Sequence, residues 1–461
     1  MGGRVGRAAR TPRRATAFTR LGSLAEPPTP DKMALDLLLA GGTLLDARTG
    51  DARRADVLIR DGQIAEVAEA IDPPDGVRVY DATGKTVSQG WFDMHVHFRE
   101  PGQEHKETIE TGARAAAFGG FTGVACMPNT DPPIATRDVV EFVRKRAEGL
   151  VVDVHPIGTV SKKREGKELA EMADMAAGGA VAFSDDGSPV QHGGLMRHAL
   201  EYARTLDKPI LGHEEDLTLN PHGHMNEGAV ATRLGLPGIP GLAEEAMIAR
   251  DALLAEFTGG RFHVCHISTA RAVDIVRDAK ARGIPITTEA CPHHWALTDA
   301  AVETSGYDTN TKMHPPLRTA ADVQAIKDGL ADGTIDAIAT DHAPHAGFEK
   351  EVEFTEAPFG ILGLETCWPL TVRDLVRPGV LTLAQAVYKL SVAPREILGL
   401  AVPTFEVGAP ATLTVFDDST PWTLEPRHLK SKSKNTPFVG DAMLGRAWAV
   451  VNNGLFVEAE A

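Results

Sequence analysis

Residues 92–97 read Phe-Asp-Met-His-Val-His, and the stretch runs on as Phe-Arg-Glu-Pro-Gly to residue 102. A short, largely apolar run of this kind predicts a strand buried on both faces. Side chains at i and i+2 of a strand share one side, so His95 and His97 aim two imidazoles at one spot. Two neutral imidazoles converging at a strand end can hold a divalent transition metal, zinc above all. An H-x-H pair on an exposed strand is also a common accident, so the reading turns on what the rest of the chain carries.

Seven further runs read as strands: Thr122–Met127, Val152–Gly158, Val181–Asp186, Ile210–His213, Phe262–Ile267, Pro285–Glu289 and Ala337–Asp341. Helical periodicity separates them; in Leu195–Leu206, for example, Leu195, Ala199, Ala203 and Leu206 share a face. Eight such units predict an α/β fold, a (β/α)8 TIM barrel over residues 89–401. The alternative, a doubly wound open sheet, wants a glycine-rich phosphate loop after its first strand, and none follows Phe92–His97.

Both ends of the chain are β-rich. Leu35 to Leu45 and Ala55 to Val67 are punctuated by Gly41-Gly42 and Asp61-Gly62, which reads as strands and hairpins. Ala411 to Phe416, Ala447 to Val451 and Leu455 to Val457 follow the same habit, with Asn452-Asn453-Gly454 as a turn. We expect one small composite β-sandwich domain from residues 33–88 and 402–461; two unrelated β appendages are the other reading. Residues 1–32 carry six arginines and only two acids, which suits a transit peptide, a disordered tail or an extension preceding a true start at Met33. A disordered or mis-assigned extension is the expectation.

Bulk properties exclude other classes. A net charge of -16 speaks against a nucleic-acid partner, which needs a basic face. No apolar run is long enough to span a membrane. Four scattered cysteines without a C-x-x-C pair suit a reducing cytoplasm rather than a disulfide framework.

The remaining strand ends decide the chemistry. Strand four closes with Asp185-Asp186, strand five with His213, strand six with His266 and strand eight with Asp341. Barrel enzymes build their sites at the carboxyl ends of the strands. Buried His and Asp are costly unless paired or metal-bound. Four histidines plus two aspartates exceed what one four-coordinate metal requires, which points to two metals.

With these residues in place, the chain from about Met33 onward resembles the amidohydrolase superfamily and, within it, the bacterial class I dihydroorotases. The likeness rests on DMHVHFREPG (93–102), GGFTGVACMPNTDPP (119–133), AFSDDGSP (182–189), GHEED (212–216), VCHIST (264–269), ATDHAPH (339–345) and KNTPFVG (434–440). The resemblance implies a zinc-dependent cyclic amide hydrolase that interconverts (S)-dihydroorotate and N-carbamoyl-L-aspartate in pyrimidine synthesis. His95, His97 and Asp341 would hold one Zn2+, and His213 and His266 a second. Asp186 would bridge the two, where hydantoinases and animal-type dihydroorotases use a carboxylated lysine. Its spacing to His213 favours Asp186 over Asp185, and strand alternation lets only one of the two face the site. Asp341 would also be the catalytic proton carrier.

His97, Arg99, Asn129, His314, His345 and the backbone at Phe359-Gly360 would face the substrate, with the Arg99 fork on its carboxylate. Plainer roles compete: a rim salt bridge from Arg99 to Glu100 or Glu104, and a turn-stabilising Asn129. His314 stands where the family pattern leads us to expect asparagine. Cys265 should point away from His266 into the core, and His293-His294 should support loop packing. The resemblance further implies a homodimer and a complex with aspartate transcarbamoylase. Two rivals stay open: a hydantoinase or allantoinase, and a silent dihydroorotase-like subunit that scaffolds the transcarbamoylase.

Overall fold

Every run read as a strand in the middle of the chain contributes one in the computed structural model, which describes residues 1–3 and 35–459. They are β1 (Trp91–Val96), β2 (Phe121–Cys126), β3 (Asp153–Pro156), β4 (Phe183–Ser184), β5 (Ile210–Gly212), β6 (Phe262–Val264), β7 (Ile286–Ala290) and β8 (Ala337–Ile338). The expectation for residues 1–32 falls, beyond the first three, outside the described residues.

Pairing is parallel throughout: β1 with β2, β2 with β3, then β4 with β5, β5 with β6, β6 with β7 and β7 with β8. Two single parallel bridges join these sets, Gly158 to Phe183 and Val96 to His342. Every residue of β1 and β2 is buried, which accounts for their nearly continuous apolar sequence. A helix follows each strand in turn, from Ile109–Gly119 after β1 to Leu383–Ser391 after β8. In Gly193–Thr205 the buried stripe is Met196, Ala199, Leu200 and Ala203. It is rotated by about a residue from the face read off the sequence, so Leu195 and Leu206 pack only at its border.

The strands stop earlier than predicted where the polar residues begin. β4 ends before Asp185 and β8 three residues before Asp341. His266 (φ 32°) and Asp341 (φ 48°) have left the β region for the left-handed one, where a ladder cannot continue.

Besides a short two-stranded pair, Met225–Asn226 with Gly238–Ile239, two larger sheets lie outside these eight strands. One has six strands in the order Leu455–Glu458, Ala442–Asn452, Leu413–Thr423, Thr86–Gln89, Thr43–Asp46 and Asp51–Arg54, and so interleaves both ends of the chain. The other has four, in the order Gln63–Ala68, Asp56–Arg60, Leu37–Ala40 and Arg78–Asp81. Leu37, Leu44, Val57, Val87, Leu413 and Val451 belong to one apolar cluster shared by the two sheets.

Asp61-Gly62 (φ 50° and 73°) and Asn453-Gly454 (φ 55° and 71°) both form two-residue hairpin turns of the kind that needs positive φ at each position. Gly41-Gly42 is not a hairpin. Leu37–Ala40 and Thr43–Asp46 pair into different sheets, so these glycines carry the chain from one sheet to the other.

Asn452 ties the last hairpin to the parallel strands. Its side-chain amide donates to Thr122 O (3.1 Å), Val151 O (2.9 Å) and Asp153 Oδ2 (3.0 Å), and its Oδ1 accepts from Thr412 Oγ1 (2.8 Å). Asn452→Ala leaves buried carbonyls unmet, each costing about 1–3 kcal/mol. We expect thermal melting of that variant to fall by several degrees with little change in activity.

Candidate functional site

Asp186 sits at the centre of the polar ends of the strands. Its Oδ1 lies 3.5 Å from His95 Nε2, 3.6 Å from His266 Nε2 and 3.7 Å from His213 Nδ1, and its Oδ2 lies 3.5 Å from His97 Nε2. Asp341 Oδ1 stands 2.9 Å from His97 Nε2 and 3.6 Å from His95 Nε2. All six residues are buried. The structure therefore brings together His95, His97, Asp186, His213, His266 and Asp341 from five separated segments.

Most of these separations are too long for good hydrogen bonds. Two ligand atoms each about 2.1 Å from one tetrahedral zinc stand roughly 3.4 Å apart, so the spacing suits atoms that share cations. His95 Nε2 and Asp186 Oδ1 are buried with no hydrogen-bond partner, which such a role explains and a packed core does not. His95, His97 and Asp341 form one compact candidate ligand group, and His95, Asp186 and His266 another.

Neighbours set the charge and direction of these groups. Burial pushes the Asp186 carboxyl up, but the facing imidazoles of His95, His266 and His97 outweigh it and hold the group well below the usual carboxylate range. Burial acts likewise on Asp341, and the His97 hydrogen bond together with the neighbouring His95 overrides it downward. Both acids are anionic at neutral pH. Asn129 Oδ1 lies 2.7 Å from His97 Nδ1, which turns His97 Nε2 toward the two carboxylates. Asn129 thus orients a site histidine, a role the sequence reading did not foresee.

Asp185 faces elsewhere. Its carboxylate accepts from the main-chain nitrogens of Val160 (2.9 Å) and Ser161 (3.1 Å) and from the Ser161 hydroxyl. Cys265 is core, but its thiol is not on the far side of the strand as expected. It lies within 4.8 Å of the ligand atoms of His95 and Glu289, because the left-handed backbone at His266 breaks the alternation. His294 pairs with Pro315 O at 3.1 Å, the packing role expected of it, and with Cys291 and His293 it makes a further compact group of ligand-type atoms.

Arg99 is buried on the same rim, with left-handed backbone (φ 61°). Its Nε donates to Pro344 O at 3.3 Å, and among the described residues no carboxylate pairs with its fork. Glu100 pairs instead with Arg146 (2.8 Å), and Glu104 caps Gly102 N (2.8 Å). Burial lowers Arg99 to about 10, which leaves it cationic at neutral pH. Beside it, His345 Nε2 lies 2.8 Å from Phe359 O. Gly360 N donates to Lys312 O (2.9 Å), and Gly360 O accepts from Asn435 Nδ2 (3.1 Å). His314 stacks obliquely on Phe359, with ring centroids 4.8 Å apart. Its Nε2 stands 2.8 Å from Glu215 Oε2, out of line for a hydrogen bond.

Four supporting residues escaped the sequence reading. Glu289 pairs with His95 at 2.7 Å, and Arg164 donates to the main-chain oxygen of Asp186. Asn435 holds His345 N (3.0 Å) and Ala343 O (3.0 Å). Asp93 accepts from His95 N (3.1 Å), Thr340 N (3.2 Å) and Thr340 Oγ1 (2.5 Å), joining β1 to the end of β8. Asp93 and Asn435 lie in the DMHVHFREPG and KNTPFVG stretches and Glu289 closes a predicted strand, but Arg164 left no signal. Asp93→Ala strands these donors, and we expect it to cost on the order of 3 kcal/mol in urea unfolding and to lower uptake of a divalent metal.

A family model described as dihydro-orotase-like matches residues 84–272. The chain is 51% identical over 423 residues to a dihydroorotase of Pelotomaculum thermopropionicum, covering 92% of this chain and 98% of that one. It is also 51% identical over 425 residues to a dihydroorotase of Anaeromyxobacter dehalogenans, with the same coverage. Among solved structures it is similar to the L-hydantoinase (dihydropyrimidinase) of Arthrobacter aurescens, with TM-score 0.81, 25% identity and coverage of 92% and 96%. A D-hydantoinase of Thermus sp. superposes with TM-score 0.74 at 28% identity, with the same coverage of both chains.

Proposed function

The chain belongs to the dihydroorotase family, and we propose that it interconverts (S)-dihydroorotate and N-carbamoyl-L-aspartate with the help of two zinc ions, which His95, His97, Asp186, His213, His266 and Asp341 would hold. It is a cyclic amide hydrolase. The single observation that carries the metal reading is the Asp186 carboxylate, buried among four imidazole nitrogens at 3.5–3.7 Å with one oxygen lacking any hydrogen-bond partner. We read the eight parallel strands as a (β/α)8 barrel, supported by the Val96–His342 and Gly158–Phe183 bridges, and the two flanking sheets as one composite β domain.

His95, His97 and Asp341 would hold one ion, His213 and His266 the other. Bound divalent cations supply a water acidified toward neutral pH and an electrophile for the ring carbonyl. The protein's own groups do the rest. Asp341, anionic and 2.9 Å from His97, accepts a proton from the attacking water and returns it to the leaving ring nitrogen. Arg99 offers its unpaired fork to the substrate carboxylate, with Asn129 and His345 beside it. Phe359 and His314 wall the ring side.

An aspartate at position 186 and the buried Arg99 favour this reading over a hydantoinase, whose substrates generally lack that carboxylate. Retention of all six ligand-type residues separates it from a silent scaffold. Among the described residues, no helix is long and apolar enough to cross a membrane. The four cysteines are buried and unpaired, in keeping with the cytoplasm, where we place the enzyme as a homodimer able to join aspartate transcarbamoylase.

The deciding assay is ring opening of dihydroorotate, hydantoin and allantoin, with and without a chelator. Dihydroorotate should turn over far faster than the other two and stop when zinc is stripped; preference for hydantoin would overturn the assignment. Asp186→Ala and Asp341→Ala should each abolish turnover. Arg99→Met should raise KM for dihydroorotate roughly tenfold to a hundredfold, the worth of a charge-assisted hydrogen bond, with a smaller change in kcat.

A further inference from the structure

Strand β7 delivers Glu289, a carboxylate that the chemistry above does not use, to the floor of the site. It is completely buried. Taking a carboxylate out of water costs several kcal/mol unless something cationic or hydrogen-bonding repays it. No lysine or arginine pairs with Glu289 among the described residues. Two buried imidazoles face it. Oε1 lies 2.7 Å from His95 Nδ1 and also accepts from the main-chain nitrogen of His266 (3.4 Å), and Oε2 lies 3.3 Å from His263 Nε2, out of line for a hydrogen bond. His263 is itself anchored, with Nδ1 2.8 Å from Thr287 Oγ1.

Resting on the zinc reading, we propose that Glu289 is a positioning residue for the metal centre, a buried anion that sets His95 as a ligand. By accepting the Nδ1 proton of His95 it fixes the neutral tautomer whose Nε2 lone pair points at Asp186 and Asp341, 3.5 and 3.6 Å away. A carboxylate behind an imidazole also makes that imidazole a stronger donor to a cation. His263, held by Thr287, faces the carboxylate from the other side, so His95 is oriented both from its own strand β1 and from β7. His97 receives the same service from the neutral amide of Asn129, so the charged version falls to His95 alone of this pair.

A residue that merely fills the core could be replaced by an isostere without consequence for metal. Glu289→Gln keeps the shape and an acceptor oxygen but removes the charge. Zinc affinity is read by competition between the metal-stripped protein and a chromophoric chelator, with folding checked by circular dichroism. We expect Glu289→Gln to bind zinc 10- to 100-fold more weakly, and excess zinc to restore most of its kcat/KM. Should that variant misfold, His263→Gln keeps the His95 pair while loosening Glu289, and should weaken zinc in the same direction by a smaller factor. Unchanged zinc affinity in a folded variant overturns the proposal and leaves the zinc reading intact. A wild-type protein that takes no zinc from the chelator defeats the zinc reading and this proposal with it.

Discussion

Four imidazole nitrogens at 3.5–3.7 Å around one buried carboxylate, that of Asp186, form the constraint that the rest of the molecule serves. Such a cluster is unfavourable in a protein interior unless each lone pair and proton has a destination. Parallel strands solve the geometric half of the problem. Neighbouring strands lie about 4.8 Å apart, so residues one strand over, at matching depth, can bring ring nitrogens to ligand spacing with no long side chains to immobilise. The electrostatic half is solved by groups beneath and beside the cluster: the buried Glu289 on His95, and the half-buried Asn129 on His97 and Arg164 on the Asp186 main chain.

Aiming these side chains costs backbone freedom. Arg99, His266 and Asp341 all adopt left-handed conformations that non-glycine residues avoid, at roughly 1–3 kcal/mol each. The strain sits where the ladders end, so no strand pairing is lost beyond those points. Asp93 offsets part of it at the β1–β8 junction, where one carboxylate gathers three donors from His95 and Thr340. The opposite end of the strands is built for cohesion. There Arg395 donates to Gly90 O (2.6 Å) and Ser391 O (2.8 Å), and Asn452 gathers carbonyls from two neighbouring segments. Function and stability are thus divided between the two ends of the same strands.

Much of this was legible in the chain. Period-two alternation put His95 and His97 on one side, and runs of β-branched and apolar residues marked eight strands whose positions hold to within a few residues. The ligand-type residues were visible because each lies within a few residues of its strand's end, a local property. Asp61-Gly62 and Asn453-Gly454 were equally local, since a two-residue turn with positive φ states its requirement in its own residues. Gly41-Gly42 had the same appearance and a different outcome, because its flanking strands find partners far away in sequence.

By itself the sequence determined the periodicity, the residue types at the strand ends and the family pattern, all of which depend on neighbours within a few positions. Only the tertiary structure decided which groups meet. Glu289 reaches His95 across 194 residues, Asp93 reaches Thr340 across 247, and Asn435 reaches His345 across 90. None of these pairings has a local signature, because hydrogen bonding depends on separation in space, and nothing in a strand's own residues says which distant strand will lie beside it. The misjudged direction of Cys265 has the same root. Alternation is a rule for continuous β backbone, and the left-handed turn at His266 that suspends it is imposed by the assembled site.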